Sequence, residues 1–389
     1  MKSKQNILII NQYPLSFFKD ILDELKEDSN LTLICGEKNN SLPNKIEYII
    51  STRYKRESIK KRLFTWISFS IKASFYVMYN LQRFDKLIIV SNPPFALFIS
   101  LIWPKKLNLL LFDIYPNIIY QVINNKSKLI FYPLKFFIYL WKIVNYFVYK
   151  KANKIITISE SMAKQIVESS IYPVKDLSQI NVIYPWSTLK LVEDKLEIKE
   201  FRKKFIKDKR LLIIYSGNMG LSHPLEYLIE SSEKITDFAK IILSGNGSKK
   251  NKLKKYASKI KKNPPEFLDF ISNTKFPIFL SCADLCVVSL DGYSSEMSLP
   301  SKLFSIFNCA KPILAICPYK SELSRLVLKY NCGFVIEPNK DFSNNLLNLL
   351  RRLYDNPKLL KIASNNSSNA AKDFSVKNAL LFKKVFLEN

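Results

Sequence analysis

LLIIYSGNMG, residues 211–220, decides the fold. The unbroken apolar run Leu211–Tyr215 has no helical periodicity and is short. It therefore reads as a strand buried on both faces. Gly217 and Gly220 follow at once. The pattern returns in AKIILSGNGS, 239–248, another apolar run closed by Gly245 and Gly247. Strands of this kind belong to parallel sheets, and parallel neighbours need a crossover, usually a helix.

Working outward from these two runs, the alternation holds along the chain. Strands are expected at ILII (7–10), LTLIC (31–35), KLIIV (86–90), NLLLF (108–112), KIITI (154–158) and NVIYP (181–185). Helices are expected over 15–27, near 95–103, and after Ser159 as a cap. A charged stretch, 190–209, reads as a linker with a short helix. The pattern then restarts, with strands at 211–215, 239–243, FLDF (267–270), DLCVV (284–288), ILAI (313–316) and GFVIE (333–337). Helices fall near 224–236, 249–260, 301–309 and 320–330, and fill the chain after 337. The fold class is α/β: two doubly wound, Rossmann-like domains facing a central cleft. The boundaries are 1–189 and 190–389, with the last helix, about 374–389, able to return to the first domain.

Composition narrows the chemistry. Of 389 residues, 48% are hydrophobic, ample for packed cores. The six cysteines include no CxxC pair and there is a single histidine, His223. A structural zinc site is not expected, and the cysteines read as reduced, buried residues of a cytosolic protein. The start, MKSKQNILIINQYP, holds an apolar run too short for the core of a signal peptide and fits a first strand.

The formal net charge is +27. Such a charge implies an acidic partner: nucleic acid, anionic lipid or a phosphorylated substrate. A lysine-rich coding bias accounts for part of it, but not for two clusters. Between Arg53 and Phe84, eight basic residues meet one acid, Glu57, among many aromatics; between Lys126 and Lys154 there are seven lysines and no acid. The second cluster contains LIFYPLKFFIYLWKIVNYFVY, 129–149. Lys135 and Lys142 interrupt it seven residues apart, on nearly one helical face. The expectation is a helix lying in a membrane interface, with both lysine heads among the headgroups and Phe136, Phe137, Leu140 and Trp141 buried in lipid. A core helix and a spanning helix are the alternatives; two mid-bilayer charges oppose spanning.

The strand-end glycines, Gly217, Gly220, Gly245 and Gly247, with Asn218 and Asn246 between them, permit tight turns and close approach by a phosphate or sugar. Neither loop is a full GxGxxG or a Walker loop, which argues against NAD and ATP. A third segment, SLPSKLFSIFNCAKPILAI (298–316), places Pro300, Ser301 and Lys302 at a helix start. A lysine there opposes the helix dipole unless an anion binds with it. Ser301 is read as the cap and Lys302 as the contact to a strongly anionic ligand. The bland alternative is a solvated lysine. His223, after the first loop, either donates to a phosphate or is a surface helix residue. Asp113, ending a strand, either binds a ligand hydroxyl or caps the Tyr-Pro turn.

These pieces carry a resemblance. IIYSGNMG with HPLEYLIESS, IILSGNGSKKNKLKKYA, CADLCVVSL and LPSKLFSIFNCAKPILA resemble the nucleotide-sugar domain of family 4 glycosyltransferases with the GT-B fold. SNPPFALF, LLLFDIYPNII, ANKIITISESMAKQI and NVIYPWS resemble that family's acceptor domain. The resemblance covers nearly the whole chain and is nearest to bacterial lipopolysaccharide, capsule and colanic-acid-type enzymes. It implies retaining transfer of a sugar from a nucleoside diphosphate sugar, UDP favoured over GDP, to a lipid-linked or saccharide acceptor, with no metal and no other cofactor. The family's two glutamates near Pro-Ser-Lys fall here at Met297, with Glu296 beside it, and at Ser305, whose hydroxyl can still bond a ribose. The family's Arg and Lys after the first glycine loop are absent, as is a glycine pair after the first strand.

The function expected is therefore a glycosyltransferase, cytoplasmic and peripheral on an anionic membrane surface. A nucleotide-sugar 2-epimerase of the same fold is one alternative. A nucleic-acid-binding protein is the other, but no RNP-type, zinc or helix-turn-helix signature supports nucleic acid as a partner.

Overall fold

The computed structural model describes all residues except 1–3, 39–41, 56, 118–127, 169–179, 190 and 388–389. The chain divides into two compact units: Met1–Pro185 with Val376–Asn389, and Trp186–Ser375.

The first unit holds a parallel sheet of β1 (Gln5–Ile10), β2 (Ser29–Cys35), β3 (Glu47–Ile50), β4 (Lys86–Val90), β5 (Lys106–Leu111), β6 (Lys154–Thr157) and β7 (Ile180–Val182). Its order is β3-β2-β1-β4-β5-β6-β7. Ile7–Ile10 of β1 sit between β2 and β4 and are fully buried, which is why that strand is apolar without alternation. The helices are α1 (Phe18–Leu25), α2 (Ile59–Tyr79), α3 (Lys128–Lys151), α4 (Glu160–Glu168) and, from the far end of the chain, α13 (Asn378–Leu387). Ser159 caps α4 by accepting from Met162 N–H at 3.2 Å. The end of α13 is tied to this sheet from within. The Lys86 ammonium and the Asn108 amide both donate to the Phe386 carbonyl, at 2.5 and 3.2 Å.

The second unit holds β8 (Leu211–Ser216), β9 (Ala239–Ser244), β10 (Glu266–Leu268), β11 (Leu285–Ser289), β12 (Ile313–Ile316) and β13 (Gly333–Ile336), in the order β10-β9-β8-β11-β12-β13. Its helices are α5 (Lys195–Lys203), α6 (Glu226–Glu230), α7 (Lys250–Ala257), α8 (Phe276–Ser281), α9 (Lys302–Asn308), α10 (Glu322–Lys329), α11 (Phe342–Asp355) and α12 (Lys358–Asp373). In both sheets the strand order reverses next to the first strand of the unit, at β1/β4 and at β8/β11. Open parallel sheets bind ligands outside the carboxyl ends of the strands at such reversals.

Three local expectations change. The segment near 95–103 is a 3-10 helix, Pro94–Leu101, packed against α2, α3 and β4. The helix near 224–236 is only α6 followed by a 3-10 turn, Ser231–Glu233. Strand β3 and helix α2 were not expected: β3 is half-buried at a sheet edge, and α2 is apolar on more than one face, so neither gives a clean period.

Candidate functional site

At the carboxyl end of β8, the chain turns through Gly217, whose φ of +146° suits glycine. A Cβ on Gly217 would stand 2.8 Å from the Lys302 Nζ. The glycine thus makes room for a lysine, and that lysine comes from the Pro-Ser-Lys segment. Lys302 does not point into solvent. Its Nζ is buried and has no hydrogen-bond partner among the described residues. It lies 3.9 Å from the centroid of the Tyr215 ring. Burial pushes the Lys302 pKa down to about 7. A cation held this way lacks an acceptor, and an aromatic face replaces only part of what water gave it.

Tyr215 is the platform. Its hydroxyl donates to the Asn218 carbonyl at 2.5 Å, which fixes the ring and closes the turn. The His223 ring packs edge-on at 6.0 Å between centroids. His223 Nδ1–H donates to the Ser289 carbonyl at 2.7 Å, linking this loop to the end of β11. Burial first, and the nearby Lys302 charge second, hold His223 down to about 3. The imidazole is therefore neutral. This corrects both expectations for His223: it is not on the surface and not in α6. A neutral ring with Nδ1–H used offers Nε2 as an acceptor, not as a phosphate donor.

The second glycine loop packs on the first, backbone to backbone. Met219 N–H donates to the Asn246 carbonyl at 2.8 Å, and Lys249 N–H to the Met219 carbonyl at 2.9 Å. A Cβ on Gly245 would fall 2.0 Å from the Gly217 carbonyl oxygen, and one on Gly247 2.6 Å from the Met219 backbone. The close approach that needs Gly245 and Gly247 is thus loop to loop rather than ligand to loop. Gly220 is buried, while Asn218 and Asn246 are exposed at the loop tips. The Lys249 ammonium adds a cation to the same loops. It donates to the His223 carbonyl at 2.9 Å and pairs with Glu226 at 2.7 Å.

Ser301 is corrected. Its backbone is already helical, with φ −59° and ψ −23°, and its side chain makes no capping bond. A helical residue turns its hydroxyl away from the following N–H groups. The expectation that a lysine at this helix start would be solvated also fails, because its side chain runs back over Tyr215. Ser305 faces Ser187, with the hydroxyls 3.3 Å apart. Glu296 is exposed at the end of a 3-10 turn, and Met297 is buried beside it. Sequence reasoning missed Tyr215, Ser289 and Lys249. Tyr215 looked like one more strand residue, and Lys249 like one of many lysines. Among the described residues, no group of three or more His, Cys, Asp or Glu side chains could hold a metal ion. All six cysteines are free and buried, and burial raises the pKa of Cys35, Cys282, Cys286, Cys309, Cys317 and Cys332.

Asp113 lies in the first unit, just past β5. Burial raises its carboxyl to about 7 against the opposing charge of Arg62. Its backbone N–H donates to Ser91 Oγ at 3.4 Å. Tyr115 follows, packed at 5.6 Å from Trp66 of α2 and 6.1 Å from Trp141 of α3. Trp141 is thus core, which corrects its expected burial in lipid, and Lys142 is half-buried with a lowered pKa. The outer faces differ. Along α2, Trp66, Phe69, Ala73 and Val77 are buried, whereas Phe64, Ile67, Ile71, Phe75 and Met78 form a second, uncovered apolar stripe. Phe136, Phe137, Tyr139 and Leu140 of α3 are likewise exposed. Among the described residues, no helix is long and apolar enough to cross a membrane.

Comparison with known proteins bears on the second unit. Residues 197–370 match the sequence family described as glycosyl transferases group 1. The chain carries a group 1 glycosyl transferase domain. A relative, the putative colanic acid biosynthesis glycosyl transferase WcaI of Escherichia coli (strain K12), is 26% identical over 180 residues, 45% of this chain. That match spans 43% of the relative's length, less than half. Among solved structures, HepE of Anabaena in complex with UDP-glucose superposes with a TM-score of 0.69 at 15% identity, covering 98% of each chain. WaaG, a glycosyltransferase involved in lipopolysaccharide biosynthesis, gives a TM-score of 0.68 at 14% identity, covering 98% of this chain and all of that one (100%). At such identities the likeness is one of fold. The chain has the GT-B fold, built from two parallel-sheet α/β units.

Proposed function

We propose that this group 1 glycosyl transferase moves a sugar, with retention, from a nucleoside diphosphate sugar to a lipid-linked or saccharide acceptor in bacterial surface polysaccharide synthesis. One observation carries the reading: the buried Lys302 ammonium, unpartnered, beside the Gly217 turn. A diphosphate supplies the acceptor oxygens that the cation lacks. As the glycosidic bond loosens, charge builds on the leaving diphosphate, and a preorganised cation in a dry site stabilises that charge more than the ground state. UDP is favoured over GDP as the carrier, in keeping with the HepE complex. The colanic acid relative supports polysaccharide as the product class.

The acceptor side belongs to the first unit, around Asp113. The uncovered stripes of α2 and α3 favour attachment to a membrane surface. They are flanked by the exposed Lys60, Lys61, Lys72 and Lys135, which complement anionic headgroups.

A thermal-shift panel of UDP-, GDP-, ADP- and CMP-sugars tests the donor assignment. At about 100 times its dissociation constant, the true donor adds about 2.7 kcal/mol of stability. The reading expects a shift with one nucleotide class, strongest for UDP. No shift with any member contradicts it. The 2-epimerase alternative is separated by product: it releases an altered nucleotide sugar with no acceptor present.

A further inference from the structure

Helices α2 and α3 of the first unit hold buried polar groups that find no hydrogen-bond partner among the described residues. Trp66 Nε1 and Trp141 Nε1 are buried donors with no partner, although both residues are at least nine-tenths buried. Arg62 Nε is a third such donor, and Asn145 Oδ1 is a buried acceptor with none. The Asn145 amide nitrogen donates to the Tyr115 carbonyl at 2.6 Å, so its oxygen is what remains over. Buried polar atoms are nearly always bonded, and a cluster of exceptions needs a reason.

The cluster is one place. Tyr115 touches Trp66 on one side and Trp141 on the other, and the Arg62 guanidinium lies 5.9 Å from the Trp66 ring. Asp113, two residues before Tyr115, is close enough to Arg62 to feel its charge. Yet among the described residues only burial and that charge act on the Asp113 carboxyl, with no hydrogen bond to it. Arg62, Asp113 and Tyr115 are half-exposed, so this rim reaches solvent while the indoles form its packed floor. Aromatic rings with planar polar groups and a carboxyl suit a pyranose, which offers C–H faces and hydroxyls together. A half-buried guanidinium whose Nε–H finds no acceptor among the described residues suits a planar or tetrahedral anion.

We propose that Arg62, Trp66, Asp113, Tyr115, Trp141 and Asn145 form a subsite for an anionic pyranoside, with Arg62 on its carboxylate or phosphate group and Asp113 on a ring hydroxyl. This deepens the transferase reading, on which it rests for the fate of the bound sugar, by giving the acceptor a charge. Asp113 is half-protonated near neutrality, so an anion beside Arg62 does not meet a full opposing carboxylate charge.

The test uses tryptophan fluorescence of the full chain with no nucleotide sugar present, so it stands apart from the donor assignment. Methyl glucuronide, glucose 1-phosphate and neutral methyl glucoside are titrated into wild type, Arg62→Gln, Arg62→Lys and Lys302→Ala. The subsite predicts a saturable change with the glucuronide, the phosphate or both, at least tenfold tighter than with the glucoside. Arg62→Gln should weaken the anionic ligand at least tenfold, Arg62→Lys by less, and Lys302→Ala should not weaken it. The two anions distinguish carboxylate from phosphate recognition. Equal affinity for the glucoside overturns the proposal. So does wild-type affinity in Arg62→Gln, or a phosphate signal lost in Lys302→Ala but kept in Arg62→Gln, which belongs to the donor site. Absence of any saturable response overturns it too, whatever the thermal-shift panel shows for the donor.

Discussion

Replacing Lys302 by methionine should make the protein more stable and less active at once. The side chain keeps its length and apolar stem but loses the charge. In the folded chain, burial takes the Lys302 pKa from 10.5 to about 7. The folded state therefore binds fewer protons at this group, and its stability rises with pH between about 7 and 10.5. Below that window the buried ammonium costs at most about 5 kcal/mol, at 1.36 kcal/mol per pH unit. The Tyr215 face returns on the order of 1–2 kcal/mol of this. That leaves at most about 3–4 kcal/mol, and each kcal/mol retained after relaxation raises the melting temperature of a unit of this size by roughly 2–4 °C. Activity moves the other way. A preorganised donor to developing charge is worth about 10²–10³ in turnover. The assay is Tm at pH 6.5 and 9, plus initial release of nucleoside diphosphate from the preferred donor. Higher Tm at pH 6.5, a smaller gain at pH 9 and at least tenfold slower turnover are expected. Lys254→Ala, an exposed lysine on α7, should change neither. A Lys302→Met protein that melts lower and turns over at the wild-type rate would refute the reasoning, because the ammonium would then be structural.

Other outcomes follow from the same geometry. Gly217→Ala forces a Cβ into a φ of +146° and 2.8 Å from the Lys302 Nζ, so donor affinity should fall at least tenfold by calorimetry. Donor affinity should decline by up to about tenfold per pH unit above pH 7, as Lys302 loses its proton in the free protein, when measured with a nucleotide sugar whose diphosphate does not titrate there. Transfer should survive EDTA, with Lys302 supplying the charge that a metal would; activity lost on chelation and restored by magnesium or manganese refutes this. Flotation with anionic vesicles should weaken with salt, and Phe64→Ser with Phe136→Ser should release the protein without lowering Tm, since both are exposed, at 71% and 64%.

Strand positions were legible because buried parallel strands are written as uninterrupted apolar runs, and the glycines mark where β8 and β9 end. Lys302 was legible as a residue but not as a geometry. A lysine at a helix start gives no sign that its stem will fold back over Tyr215. His223 misled because a residue near a predicted helix looks exposed, whereas the turn before α6 folds it inward onto Ser289. Gly245 and Gly247 misled for a related reason. Loop-to-loop packing and ligand approach both demand glycine, and only the distances to Gly217 and Met219 separate them. Helix α2 was hidden by apolar residues on two faces, one for the core and one uncovered, which erase the period that announces an amphipathic helix.

Calorimetric titration of the tightest-binding UDP-sugar at pH 8, in two buffers of different ionisation heat, tests the donor site most directly. At that pH Lys302 is mostly neutral in the free protein and charged once a diphosphate meets it. The account predicts saturable binding with uptake of close to about one proton per site, both absent in Lys302→Met. Binding with no proton uptake, or equal binding by Lys302→Met, would contradict it.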